Sequence, residues 1–182
     1  MMMLATPRTW VVGEVVTAAQ LNTEIRDQFA ALIAAAPEIV KSGDTGRPST
    51  TTLAADPHLA LAVAANATYA VEGFIDYDGA FGAGGLKIDF TLPASATMRW
   101  GLLGNVVSDI NQKASTNTTD QTGNLSVGTY GTGGTHTHAL LSGHLTTAGT
   151  AGTMTLRWAQ SASNATATTV YAKSRMRLRR IT

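Results

Sequence analysis

Residues 68–77, TYAVEGFIDY, put Tyr69, Val71, Gly73, Ile75 and Tyr77 at every second position, with Glu72 and Asp76 between them. Successive side chains of an extended chain point to opposite faces, so a period of two marks a strand with one apolar face. The same period recurs on both sides of this stretch. Leu59, Leu61 and Val63 precede it, and Leu86, Ile88, Phe90 and Leu92 follow, then Met98, Trp100 and Leu102. Met154, Leu156 and Trp158 form a further set, and Val170, Ala172, Met176 and Leu178 close the chain. Gly, Asn, Asp and Pro separate the runs, in VAANATY, YDGAFGAGG, LPASA, TTAGTAGT and QSASNATA. Seven or eight strands with no helical pattern between them predict an antiparallel β-sandwich, and among sandwiches a jelly roll, over residues 46–182.

The first 45 residues read differently. Trp10 to Val16 is a short extended arm interrupted by Gly13. Thr17 and Gln20 then have the spacing of a capping box, in which hydroxyl and amide satisfy free N–H groups at a helix start. Leu21, Ile25, Phe29, Leu32 and Ile33 follow at helical spacing, and Pro37 ends the pattern, which predicts a helix over about 18–35. A helix of this length with one apolar stripe needs a partner: the domain, copies of itself, or a host assembly. KSGDTGRPSTTTLAADPHLA (41–60) reads as a linker passing into strand, and 104–134 as a long loop with one weak strand inside.

Charged residues make up only 14% of the chain, against roughly 25% in average usage. A surface so poor in charge is expected to be covered partly by subunit contacts. The net charge of +1 speaks against nucleic acid as a partner. There is no Cys, which removes disulfides, thiol nucleophiles and thiolate metal sites. MMMLATPRTW lacks the pattern of a signal peptide, and no run reaches the ~18 apolar residues of a membrane span, so a soluble product made inside the cell, without membrane insertion, is expected.

Candidate chemistry is thin. The loop DYDGAFGAGG (76–85) lacks the Lys-Ser/Thr of a phosphate loop and the twelfth-position acid of a calcium loop, and reads as a flexible hairpin connection. No G-x-S-x-G elbow occurs, and Glu72 and Asp89 sit alone within strands, outward if their apolar neighbours point in. No catalytic residue and no cofactor are therefore expected. In RWAQS (157–161), Trp158 reads as core, with Gln160 placed to satisfy backbone groups at the strand end. Arg175, Arg177 and Arg179 alternate with Met176 and Leu178, as on an edge or outer strand guarded by charge. His136 and His138, in GGTHTHALLSGH (133–144), share one strand face ~7 Å apart, but two imidazoles are too few for a tight metal site. They would ligate a metal only if several chains met at that face, and His144 would join them only in the absence of a bulge.

The phrase RTWVVGEVVTAAQLNTEIRDQF (8–29) resembles the opening of many small virion proteins of tailed bacteriophages, especially those of actinobacteria. TYAVEGFIDYDG, LKIDFTLPASATMRWG and TTAGTAGTMTLRWAQSASNATATTVYAKSRMRLRRI are similar to segments of the same group, labelled variously minor tail protein, tail fibre and head fibre. The resemblance weakens across 104–134. It implies a homotrimer of tumour-necrosis-factor-like jelly rolls, assembled in the host cytoplasm and carried on the virion. Its arm and helix would join capsid or tail proteins through Trp10, Leu21, Ile25, Phe29 and Leu32. Loops bearing Asp78, Phe81 and Tyr130 would face the host, where a cell-surface glycan is the expected contact. A capsid decoration protein or head fibre is the alternative placement, and a carbohydrate-binding module the third reading.

Overall fold

The computed structural model describes residues 6, 8–80, 83–106, 109–117, 125–127 and 136–181. The N-terminal helix runs as α1 (Ala18–Leu21), a π-helical turn (Asn22–Arg26) and α2 (Asp27–Ala35). Thr17 and Gln20 cap it as the spacing predicts: Gln20 N donates to Thr17 Oγ1 (3.3 Å) and Thr17 N to Gln20 Oε1 (2.7 Å). The regular helix expected from the sequence widens at the π turn. There the Thr23 hydroxyl donates back to Ala19 O at 3.1 Å, competing with the backbone ladder.

Twelve strands follow among the described residues. They are β1 (Glu38–Val40), β2 (Thr45–Arg47), β3 (Ala54–Val63), β4 (Thr68–Asp78), β5 (Leu86–Thr91) and β6 (Thr97–Val106). Next come β7 (Asp109–Asn117), β8 (Leu125–Val127), β9 (Thr137–Thr146), β10 (Gly152–Ala159), β11 (Thr168–Val170) and β12 (Arg175–Arg180). The antiparallel pairs β3–β10, β4–β9, β5–β8 and β6–β7 nest inside one another, so the chain from β3 to β10 is one long folded hairpin. Rolling that hairpin places the pairs alternately in two sheets, ordered β3-β10-β5-β8 and β4-β9-β6-β7. That order is the jelly roll. β12 then adds beside β4, β1 beside β12, and β11 and β2 complete an eight-stranded sheet.

The alternation read from the sequence builds the core between the sheets. Leu59, Leu61, Ile88, Met154, Leu156 and Trp158 from the smaller sheet meet Tyr69, Val71, Ile75, Trp100, Leu102, Met176 and Leu178 from the larger, all buried. Phe90 meets Trp100 edge-on across the layers, centroids 5.1 Å apart at 85°, a pairing that adds ~1 kcal/mol to the burial itself. At residue 143 β9 lies against β6 so closely that a Cβ would fall 2.7 Å from Trp100 Cβ and 2.9 Å from Arg99 O. Glycine there permits close approach rather than the bend its type invites.

Several expectations change. Segment 104–134, read as a loop with one weak strand, contains the end of β6, nine-residue β7 and β8; backbone pairing to neighbours, not an apolar repeat, defines them. The 41–60 linker is packed structure, with β2 and the start of β3 and with Lys41 and Asp56 buried. The 76–85 segment is no hairpin: Asp76 to Asp78 end β4, and β5, which begins at Leu86, lies in the other sheet. β12 keeps its charged and apolar faces, but β4 and β1 flank it, so β1 takes the edge. Asp89, expected to face outward, is 7% exposed because Arg157, directly opposite on β10, covers it in an ion pair. Glu72 is exposed and pairs with Arg177 (2.5 Å).

Candidate attachment surface and buried polar cluster

The arm folds back on the helix start. Arg8 forms an ion pair with Glu14 and lies over the Trp10 ring, its Cζ 4.8 Å from the centroid, while Gln20 Nε2 donates to Glu14 Oε1 (3.0 Å). These contacts leave the apolar side uncovered. Trp10 is 45% exposed, and Leu21, Ile25, Phe29 and Leu32 are 45, 49, 62 and 50% exposed; among the described side chains of the helix, the buried one is Ala31, at 6%. Among the described residues, the five residues named as anchors thus keep about half or more of their surface exposed.

Residues 137–146 form β9 with the alternation of faces expected of a strand, and His136 stands just before it. Thr137, Ala139, Leu141 and Leu145 point inward, while His138, Leu140, Ser142 and His144 point outward. The register with β4 runs unbroken from Tyr77↔Thr137 to Thr68↔Thr146, so no bulge moves His144 off the face of His138. His136, just before the strand, is on the same side but committed elsewhere: its Nδ1 lies 2.9 Å from Asp76 Oδ2, and its ring stacks on Tyr171 at 3.8 Å and 10°. His138 stacks on Phe74 at 5.4 Å, with Arg175 on the same ring. No three His, Cys, Asp or Glu side chains among the described residues gather closely enough to hold a metal. Asp78, expected on a recognition loop, ends β4 and is 6% exposed, because the strand extends further than its apolar pattern. Phe81 and Tyr130 lie outside the described residues.

A cluster that the sequence reading did not single out lies between the sheets. Lys41, just after β1, is 1% exposed. Its Nζ donates to Asp56 Oδ2 (2.8 Å) and Oδ1 (3.0 Å) and to Thr45 Oγ1 (2.8 Å), and lies 3.1 Å from His58 Nδ1. Because an ammonium only donates, that nitrogen of His58 presents its lone pair. Asp56 Oδ1 also accepts from the N–H groups of His58 (2.9 Å) and Leu59 (3.2 Å), and Oδ2 from Trp158 Nε1 (2.9 Å). Burial pushes the Asp56 carboxyl up, but the bonds from Lys41, His58 N–H and Trp158 outweigh it and hold its pKa below the ordinary value.

Arg47 closes the cluster, its guanidinium 4.1 Å over the Trp158 ring and donating to the carbonyls of Trp158, Ala54 and Ala55. Burial pulls its pKa below the ordinary value, and Asp56 offsets this in part. Trp158 is therefore core, as expected, and also a hydrogen-bond donor. Gln160 behaves as read: its Oε1 accepts from Thr50 N and Asn164 N, and its Nε2 donates to Thr166 O. Asp56 was hidden by phase. Counting back in twos from Leu59 puts residue 56 on the outer face, but Thr155 faces Ala60 while Arg157 faces Ala55, so β3 carries extra residues there. Pro57, which has no N–H for the ladder, marks the irregularity, and the carboxylate turns inward.

No family model matches the sequence, and no curated protein matches it. Among solved structures the chain is similar to the tripod (BppUct-A-L) from the baseplate of bacteriophage Tuc2009, at 10% identity over 98% of this chain and 79% of that one, TM-score 0.37. It is also similar to infectious bursal disease virus of the Gt strain, at 12% identity over 80% of this chain and 42% of that one, TM-score 0.21. The Gx strain structure gives 13% identity, 80% and 41% coverage and a TM-score of 0.22. These neighbours are parts of a phage baseplate and of viral particles; the jelly roll itself rests on the strand order above.

Proposed function

We propose that this chain is a non-enzymatic structural protein of a bacteriophage virion. In this reading it is a homotrimer displayed on the particle as a tail fibre or minor tail protein and attached through residues 8–36. The observation that carries the proposal is the exposed strip of Trp10, Leu21, Ile25, Phe29 and Leu32 beside a finished core. Contiguous exposed apolar surface marks an interaction site, and this strip sits on the segment whose sequence resembles phage virion openings. The outer face of the larger sheet joins apolar Phe74, Leu140 and Val40 to the ion pairs Arg177–Glu72 and Arg175–Glu38, a mixed composition suited to a neighbouring subunit.

The test replaces Ile25 and Phe29 by Glu and compares incorporation into particles with that of the unaltered protein. Loss of incorporation by a variant that keeps its thermal midpoint supports attachment through the strip; normal incorporation sinks it. The arm serves equally to clamp capsomers in a capsid decoration protein or head fibre, and density for the protein on head or tail in an electron-microscopy map separates the two placements. Contact with a host glycan through Phe81 and Tyr130 belongs to the tail reading, and glycan-array binding abolished by Phe81→Ala or Tyr130→Ala is its test.

A further inference from the structure

We propose that Lys41 and Asp56 become joined by a side-chain amide that the chain forms on itself, with loss of one water. Both side chains are wholly buried, and Nζ lies 2.8 and 3.0 Å from the two carboxylate oxygens. Groups held in such contact react as if at very high concentration, with effective molarities on the order of 10⁵ M or more when well aligned.

The step balances without any outside reagent. The Lys41 ammonium and the Asp56 carboxylate become an amide and water: a bond forms from Nζ to Cγ, the Cγ–Oδ1 bond breaks, and Oδ1 leaves carrying two of the ammonium's three protons. Nothing is oxidised or reduced. His58 Nδ1, 3.1 Å from Nζ and 3.9 Å from Oδ1, is placed to take a proton from the amine and return it to the leaving oxygen. Trp158 Nε1, 2.9 Å from Oδ2, donates to the oxygen that carries negative charge in the tetrahedral intermediate.

The surroundings carry over to the product in part, while the His58 and Leu59 N–H groups lose Oδ1 as their acceptor. The amide oxygen keeps Trp158 as donor, and the amide N–H keeps Thr45 Oγ1, 2.8 Å from Nζ, as acceptor. Condensation removes two buried charges, whose desolvation is the main cost of the ion pair. The His58 side chain, 31% exposed, is the cluster's opening to solvent, through which water can leave.

The bond would join the layers of the sandwich. Lys41 is held to the larger sheet's side by Lys41 N donating to Ser174 O (2.7 Å) and Lys173 N donating to Lys41 O (2.9 Å), whereas Asp56 belongs to β3 of the smaller sheet. Lys41 stands a few residues past the helix, so the tie lies where the N-terminal segment enters the domain.

The experiment is the intact mass of the full-length purified protein. We expect a mass lower than the sequence requires by one water. Trypsin should then fail to cut after Lys41, and tandem fragmentation should give no ions from within residues 41–56, which would form a closed ring. Lys41→Met should show the full mass its own sequence requires, and His58→Ala should leave a measurable uncondensed fraction. A wild-type protein at full sequence mass overturns the proposal and leaves a buried ion pair only. So does a water loss that fragmentation places elsewhere or that survives Lys41→Met. If Lys41→Met does not fold, the wild-type mass and ring fragmentation still decide.

Discussion

Gly143 faces Trp100 across β9 and β6, and the absence of a Cβ sets how near those strands come. Gly143→Ala would bring its methyl to 2.7 Å from Trp100 Cβ and 2.9 Å from backbone, neither of which swings aside. We expect a loss of about 1–3 kcal/mol, read as a lower denaturant midpoint at unchanged slope. A second residue-scale prediction concerns Trp158. Phenylalanine there preserves much of the packing but removes the N–H that Asp56 Oδ2 accepts, and should cost about 1–3 kcal/mol by the same measurement. A neutral result would show the indole to be packing alone. Trp158 was legible as core because it falls in phase with Met154 and Leu156; its polar role was not, because its partner comes from a strand whose phase slips at Pro57.

The helix is the element whose energetics separate most cleanly from the rest. Its start was legible from two residues, since a capping box is a local contact that needs no tertiary partner. Thr17→Ala should remove about 1 kcal/mol from the first turn, seen as faster amide exchange at residues 18–21 while exchange in the β-core is unchanged. Ile25→Glu with Phe29→Glu should shift global stability by no more than about 0.5 kcal/mol, since both side chains are already exposed. A large drop in thermal midpoint for that double variant would mean that the stripe is buried in solution. The π turn was not legible, because a single back-bonded hydroxyl at Thr23 carries no periodic signal.

At the scale of the molecule, low charge and the mixed apolar and ion-paired outer face of the larger sheet lead to the prediction of a trimer at micromolar concentration in native mass spectrometry; a stable monomer there contradicts it. The sandwich was legible because most of its long strands repeat their apolar residues at a period that only an extended chain supports. β7 was not, since its residues DINQKASTN carry no apolar repeat although its backbone pairs with β6; a single weak strand was expected where β7 and β8 both stand. The candidate surfaces divide in the same way. The anchor residues were legible from helical spacing, while the inward turn of Asp56 and the burial of Lys41 were not, because both depend on chain segments far from them.

The amino-acid sequence alone determined the class of the helix and of the strands that carry an apolar repeat, the inward apolar residues of those strands, and where the helix begins, because these follow from backbone period and contacts within a few residues. Tertiary structure decided the nesting of strand pairs into a jelly roll, the commitment of His136 to Asp76 and Tyr171, and the meeting of Lys41, Asp56, His58 and Trp158. Those depend on register between distant segments, and a one-residue change of register moves every side chain to the other face.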